Sequence, residues 1–442
     1  MSKAGLFVLL ALVSAIAAAW FVPPPDPQGV AGRLSYAPFL AVSILAALLI
    51  SAVIVGLAAA GKRRRWGFRV SAVWLGVGLV WVPWELFAWF APDHQPRNPW
   101  YLSTREGFQG SRDLPYERPP HLNWEGRAVG DLVYGRGESD PYAETVVFRT
   151  DREGFRNSQE IRRAEILFLG DSFTEAGNVP EEQTFARRVS RKLHLVGRNL
   201  GRAGYAPGAE LVVFRKYGLK CRPRYVVWQI SEGNDLSDSV SFSQWVSVGR
   251  PYWEYPDRPS EVESWQRRSP SFQLFTMLCR GEPTLDGVFR CPDGTEHPMR
   301  FGGLYGSANR PAGNARGWRL LAQTIQEGSE LLKEQNVRLF VLLIPMKHHV
   351  FADCVELGEH ARNQAPQWRD PQSEVTLGDA LARLCRIDQI GFIDATMRLQ
   401  KKAKSGELVY PPFDVHLSIS GHAVVSDSII KAIQQHDNQQ RE

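Results

Sequence analysis

A chain of 442 residues with 44% hydrophobic content can bury a sizeable core, in one large domain or two ordinary ones. Its formal net charge of +5 resides entirely in residues 1–91, where seven basic residues (Lys3, Arg33, Lys62, Arg63, Arg64, Arg65 and Arg69) face only Asp26 and Glu85. The remainder is neutral, which excludes the basic footprint that nucleic-acid binding requires.

The first expected elements are membrane spans. Residues 4–22, 36–60 and 70–91 are apolar runs, each long enough at about 1.5 Å rise per residue to cross a hydrocarbon layer of about 30 Å. Three transmembrane helices are expected in a membrane region covering 1–92. The first has an alternative as a cleaved signal peptide, since a short n-region ends at Lys3 and Ala17, Ala18 and Ala19 form a small-residue run. The basic cluster Lys62 to Arg65, with Arg69, separates the second and third spans and belongs on the cytoplasmic side. Everything after Pro92 is then expected on the periplasmic or extracellular side of a cell (inner) membrane, with the lipid bilayer as the first partner. Trp81, Trp84 and Trp89 gather near the outer end of the third span, and Glu85 among them reads as an interfacial, solvated carboxylate.

Residues 93–149 are rich in Pro, Gly, Arg and aromatics without sustained periodicity, and read as an extended connector with little regular structure. Within it, Glu144 to Phe148 has strand character. From 150 to 435 strand and helix signals alternate: strands at 166–169, 196–200, 225–230, 337–344 and 392–395, helices at 181–193, 208–219 and 420–434. Such alternation predicts an α/β domain with a mostly parallel five-stranded sheet covered on both faces. Residues 236–315 form an insertion dense in aromatics, among them Phe242, Trp245, Tyr252, Trp253, Tyr255, Trp265 and Phe272, which either line a binding loop or pack onto the sheet. All five cysteines fall outside the membrane region; the pairs to test are Cys279–Cys291 and Cys354–Cys385, leaving Cys221 free. No Cys-x-x-Cys spacing suggests zinc or a redox pair, and no metal or cofactor is expected. His348–His349 and Glu359–His360 read as surface histidines.

Chemistry-bearing residues collect where strands end. Ser172 follows the first strand in Gly170-Asp171-Ser172, Gly204 follows the second, Asn234 follows the third, and Asp414-Val415-His416 precedes the last helix. Strand ends of a parallel sheet share one edge, so these loops can converge. An acyl-transfer site needs a nucleophile, a base, a group that orients the base, and donors for an oxyanion. Ser172 supplies the hydroxyl, His416 the base, and Asp414 a carboxylate to fix the His416 tautomer. The amides of Ser172 and Gly204, with the Asn234 side chain, supply the oxyanion donors. Each also has a plainer reading: Gly170-Asp171-Ser172 as a helix N-cap, Asn234 and Asp235 as turn residues, Asp414 and His416 as loop residues.

Taken together, residues 150–432 resemble an SGNH (GDSL-type) hydrolase domain, whose four name residues map onto Ser172, Gly204, Asn234 and His416. The run Leu343-Ile344-Pro345-Met346-Lys347 and the run His416 to His422 are similar to those of membrane-anchored relatives related to polysaccharide O-acetyltransferases. The resemblance implies a flavodoxin-like α/β/α sandwich and serine-dependent hydrolysis or transfer of acyl groups. Asp414 and His416 are separated by one residue where the family's commoner spacing is two, which puts their contact in question. The leading expectation is a membrane-anchored esterase acting through an acyl-Ser172 intermediate on carbohydrate or lipid esters of the envelope. An O-acetyltransferase served by a membrane acyl-donor protein is the alternative, and a non-catalytic glycan-binding scaffold a third.

Overall fold

The alternation of apolar strands and amphipathic helices builds one parallel sheet with helices on both faces. The computed structural model describes residues 76, 111, 113–133, 140–248, 286–301, 310–358, 361 and 375–440. The chain divides into two units, Met1–Gln95 with Glu254–Pro283 and Pro96–Trp253 with Thr284–Glu442, and every described residue except Gly76 belongs to the second. Among the described residues no helix is long and apolar enough to cross a membrane. The expected spans at 4–22, 36–60 and 70–91 lie outside the described residues, save for Gly76, which is helical.

In chain order the elements are β1 (Asn123–Ala128), β2 (Glu144–Arg149), β3 (Ile166–Leu169), α1 (Ser172–Glu175), α2 (Phe185–Leu193), β4 (Gly197–Asn199), α3 (Pro207–Val213), β5 (Tyr225–Ser231) and α4 (Asp235–Val248). There follow β6 (Gly287–Arg290), β7 (Glu296–Met299), α5 (Ala315–Glu334), β8 (Arg338–Ile344), α6 (Lys347–Phe351), β9 (Val355–Leu357), α7 (Leu377–Ile387), β10 (Gly391–Asp394), α8 (Thr396–Lys404) and α9 (Ile419–Gln439). The main sheet has the order β10-β8-β5-β3-β4, parallel throughout. Counted along the chain this is 2-1-3-4-5, the flavodoxin-like order, whose ligand crevice opens between the first and third strands. Those strands are β3 and β5. Ser172 follows one and Asn234 the other.

Every residue of β3 and β5 is buried, because successive side chains enter two separate cores. Ile166, Phe168, Val227 and Leu342 pack with Phe185, Leu399 and Val425 from α2, α8 and α9. Leu167, Leu169, Trp228 and Val341 pack with Leu211, Leu321 and Leu381 from α3, α5 and α7. Each fully buried Leu, Ile or Phe contributes roughly 1.5–3 kcal/mol, so the two sheet faces carry the stability of the domain.

Several expectations are corrected. The strand expected at 144–148 is β2, and a strand not expected, β1, pairs antiparallel with it, from Asn123 opposite Arg149 to Ala128 opposite Glu144, around a small core of Ala128, Val146 and Phe148. The helix expected at 181–193 opens as a tight turn at Glu181–Gln183, after which Thr184 caps α2. The helix expected at 208–219 begins at Pro207 and loosens into a π-turn at Phe214–Gly218. Within the insertion, α4 is regular helix, with Trp245 only 3% exposed and the Phe242 ring tilted beside it at 5.4 Å between ring centroids. Trp245 is buried and Phe242 packs half-buried against the core that holds Leu211 and Leu321, on a helix that lies against α3 and α5; Tyr252, Trp253, Tyr255, Trp265 and Phe272 lie outside the described residues. Cys354 and Cys385 are both free thiols and cannot pair, because Cys354 packs against the core on one side of the sheet and Cys385 sits within the core on the other. Cys291 is also free, its thiol donating to the Gly406 carbonyl at 3.3 Å, and Cys279 lies outside the described residues.

Candidate active site

The chain leaves β3 through Gly170, whose φ of +151° and crowding favour glycine: a Cβ there would stand 2.3 Å from Gln229 Oε1 and from Thr174 Oγ1. Asp171 then caps α1, its Oδ1 accepting from the Phe173 amide at 2.9 Å. The capping reading of this tripeptide is therefore correct. It is also what sets Ser172 as the first residue of α1, with its Oγ 2.9 Å from His416 Nε2.

His416 arrives from the far end of the sequence on the loop that precedes α9. Its Nδ1 lies 2.7 Å from Asp414 Oδ1, and its backbone amide donates to the same oxygen at 2.8 Å. One intervening residue therefore suffices for contact. Asp414 is 2% exposed and His416 9% exposed, and the Phe173 ring packs on the imidazole at 5.1 Å between centroids. Burial opposes the imidazolium, but the Asp414 carboxylate, together with Asp131 and Asp171, outweighs it and raises His416 to about 9. Burial likewise opposes ionisation of Asp414, and His416 and Lys347 overcome it, so its carboxyl is held below the ordinary range.

The expected oxyanion residues reach the same edge. Arg202 donates its amide to the Gly170 carbonyl at 3.0 Å, which fixes the loop after β4 beside the Ser172 turn. Gly204 on that loop has φ +69°, and a Cβ there would meet nothing within 4 Å. Asn234, just before α4, donates its side-chain amide to Asp238 Oδ2 at 2.6 Å and to Asp171 Oδ2 at 3.5 Å. Its amide thus stands against the residue that precedes Ser172. A hydroxyl, an imidazole and a carboxylate in hydrogen-bonded series can pass a proton from Ser172 as its oxygen attacks a carbonyl carbon.

Several solved structures are similar to this chain at low identity. A protein described as a lipolytic member of the G-D-S-L family, from Desulfitobacterium hafniense, is 11% identical, with 60% of this chain and 98% of that one covered at a TM-score of 0.33. A catalytic mutant of an acetylxylan esterase from Geobacillus stearothermophilus is 11% identical over 61% of this chain and 94% of that one, with a TM-score of 0.33. A GDSL-like lipase from Bacteroides thetaiotaomicron is 13% identical over 62% of this chain and 89% of that one, with a TM-score of 0.29. No protein-family model and no curated protein matches the chain.

Sequence reasoning missed the groups that hold these loops. Lys347, 3% exposed at the start of α6, donates from Nζ to the carbonyls of Pro411 at 2.6 Å, Pro412 at 2.8 Å and Asp414 at 3.0 Å. Three acceptors around one nitrogen use all three protons of an ammonium. Burial pulls that ammonium down, against the carboxylates of Asp414 and Asp131. On the other side, Glu175 Oε2 accepts from the Ala203 amide at 3.2 Å while Arg118 grips both carboxylate oxygens at 2.7 and 2.9 Å. The Tyr116 hydroxyl donates to the Ala203 carbonyl at 2.6 Å. Arg118 and Tyr116 come from the stretch read as a surface connector, where nothing in the sequence marks them. The adjacent pair His348–His349 also differs from expectation: His348 is buried and lowered to about 4 by that burial, and His349 Nδ1 lies 3.0 Å from Glu232.

Proposed function

We propose that this protein is an SGNH-type serine esterase that hydrolyses acyl esters through an acyl-Ser172 intermediate. The observation that carries the reading is the unbroken series Ser172 Oγ, His416, Asp414 at 2.9 and 2.7 Å. In the first half-reaction Ser172 Oγ bonds to the acyl carbon and its proton passes to His416 Nε2. The ester C–O bond then breaks and His416 returns the proton to the departing alcohol. In the second half, water gives its proton to His416 as it attacks the acyl carbon, and Ser172 recovers its proton as the acid leaves. The amides of Ser172 and Gly204 are the donors assigned to the oxyanion, and the Asn234 side-chain amide joins them by turning one proton away from Asp171, the longer of its two bonds at 3.5 Å. Asp414 holds the imidazole in the tautomer that accepts at Nε2.

The apolar runs at 4–22, 36–60 and 70–91 support a tether that keeps this domain outside the cytoplasm, facing acylated carbohydrate or lipid of the envelope. The test is release of p-nitrophenol from a short-chain ester by the full chain. Ser172→Ala is expected to lower kcat by at least roughly a thousandfold, and a variant as active as the parent would refute the serine mechanism. Supplying oligosaccharide acceptors in the same assay and weighing the products separates hydrolysis from transfer to a sugar hydroxyl.

A further inference from the structure

We propose that Asp131 is a positioning residue for His416, a second carboxylate that holds the loop of the base and balances the charge it acquires. The proposal rests on reading Ser172 and His416 as an acyl-transfer pair. Asp131 lies in the stretch between β1 and β2, more than 280 residues from His416 in sequence. Its Oδ1 accepts from the amide of Val415, the residue between Asp414 and His416, at 3.1 Å. The backbone beside it lies flat against the same loop: Leu132 donates its amide to the Phe413 carbonyl at 3.1 Å, and a Cβ on Gly130 would stand 2.3 Å from that carbonyl oxygen. One carboxylate oxygen of Asp131, one of Asp414 and one ring nitrogen of His416 all lie within 4.8 Å of one another.

The charge count explains the arrangement. With His416 neutral, the carboxylates of buried Asp414 and half-buried Asp131 face Lys347, whose ammonium burial pulls down to about 7, so at the alkaline pH where the ring is uncharged the group carries a surplus of negative charge. When the ring takes the Ser172 proton, that surplus falls by one. In surroundings of low dielectric a smaller surplus is favoured over a larger one, so the second acid acts when the imidazolium forms. Other groups facing the ring are few: the Asp171 carboxylate from the turn after β3 also favours the imidazolium, and His422 from α9 is lowered to about 3 by burial and is neutral. Burial and Asp414 raise the Asp131 carboxyl to about 6, which leaves it ionised at neutral pH.

Asp131→Asn keeps an acceptor for the Val415 amide and removes only the charge. The experiment is a titration of the full chain carrying carbon-13-labelled histidine, with the His416 signal assigned by its absence in His416→Gln. Asp131→Asn is expected to lower the His416 midpoint by about one pH unit and to move the midpoint of kcat/KM for ester hydrolysis with it, while Asp131→Glu returns both towards the parent. A merely structural role would reduce rates without moving either midpoint, and an unchanged His416 midpoint overturns the proposal. In the parent itself, the His416 signal should show a second, smaller inflection where Asp131 ionises. A single-step titration there overturns the coupling even if the variants fail to fold. Because the titration reads the ring and not turnover, it stands apart from the esterase assay: a parent that titrates as expected but cleaves no ester refutes the function and leaves the pairing intact.

Discussion

The base of the proposed reaction is held in its charged form, and this sets the pH at which the site can work. Only neutral His416 can accept the Ser172 proton, so kcat/KM for a p-nitrophenyl ester, corrected for alkaline background, is expected to rise with pH through a midpoint near 9. A midpoint at the ordinary histidine value of about 6.5 would show that Asp414 does not govern the ring. The sign for stability is opposite. A folded-state value raised above the unfolded one gives stability that is complete below about pH 6.5 and lost as pH rises through about 9. Melting temperature should therefore fall over the range in which the rate climbs. Asn234 gives a second prediction at this scale. If its side-chain amide is an oxyanion donor, Asn234→Ala is expected to lower kcat by roughly 10²–10³ with little change in KM, measured by initial rates; a change confined to KM would make it a substrate contact.

Between residue and fold stand two loops that no local propensity could hold in place. The loop 411–416 has three carbonyls turned onto Lys347, so α6 and the loop behave as one unit. Lys347→Met keeps the stem and removes the ammonium, leaving three carbonyls and the Asp414 and Asp131 carboxylates without their cation. We expect a loss of about 2–4 kcal/mol in unfolding free energy, read by denaturant titration, together with a fall in kcat as His416 loses its fixed distance from Ser172. Unchanged stability would show that the loop is held by other means. The loop after β4 is tied in the same way by Glu175, Arg118 and Tyr116. These ties explain why the site was legible in outline only. Gly170-Asp171-Ser172 and Asp414-Val415-His416 are local patterns and could be read, whereas Lys347, Arg118 and Asp131 acquire meaning only from partners far away in sequence.

At the scale of the whole molecule, the uneven charge and the three apolar runs lead to one further expectation. The full chain, expressed in a bacterial host, should stay with the membrane fraction after washing with alkaline carbonate, and protease added to spheroplasts should reach the domain after Pro92. Protection of that domain until the membrane is broken would reverse the proposed orientation. Arg118 bonds Glu175 of α1 and Asp131 accepts from the Val415 amide beside His416, so a boundary drawn at residue 150 would cut away part of the site's support.

Several features of this protein follow from sequence alone. The largely apolar runs at 166–169, 225–230 and 337–344 read as strands buried on both faces, and with helical periods between them a parallel sheet follows. Ser172, Gly204 and Asn234, each in a loop that follows a strand, then fall on one edge by topology. Burial and distant pairing lie beyond that reach. That Asp414 meets His416 across one residue, that Cys354 and Cys385 stand on opposite sides of the sheet, and that a lysine and a second carboxylate close around the base were decided by packing. The physical reason is that a chain's local pattern specifies which face of an element turns inward, while the energy of a buried charge depends on which other charges the finished fold brings within a few ångströms.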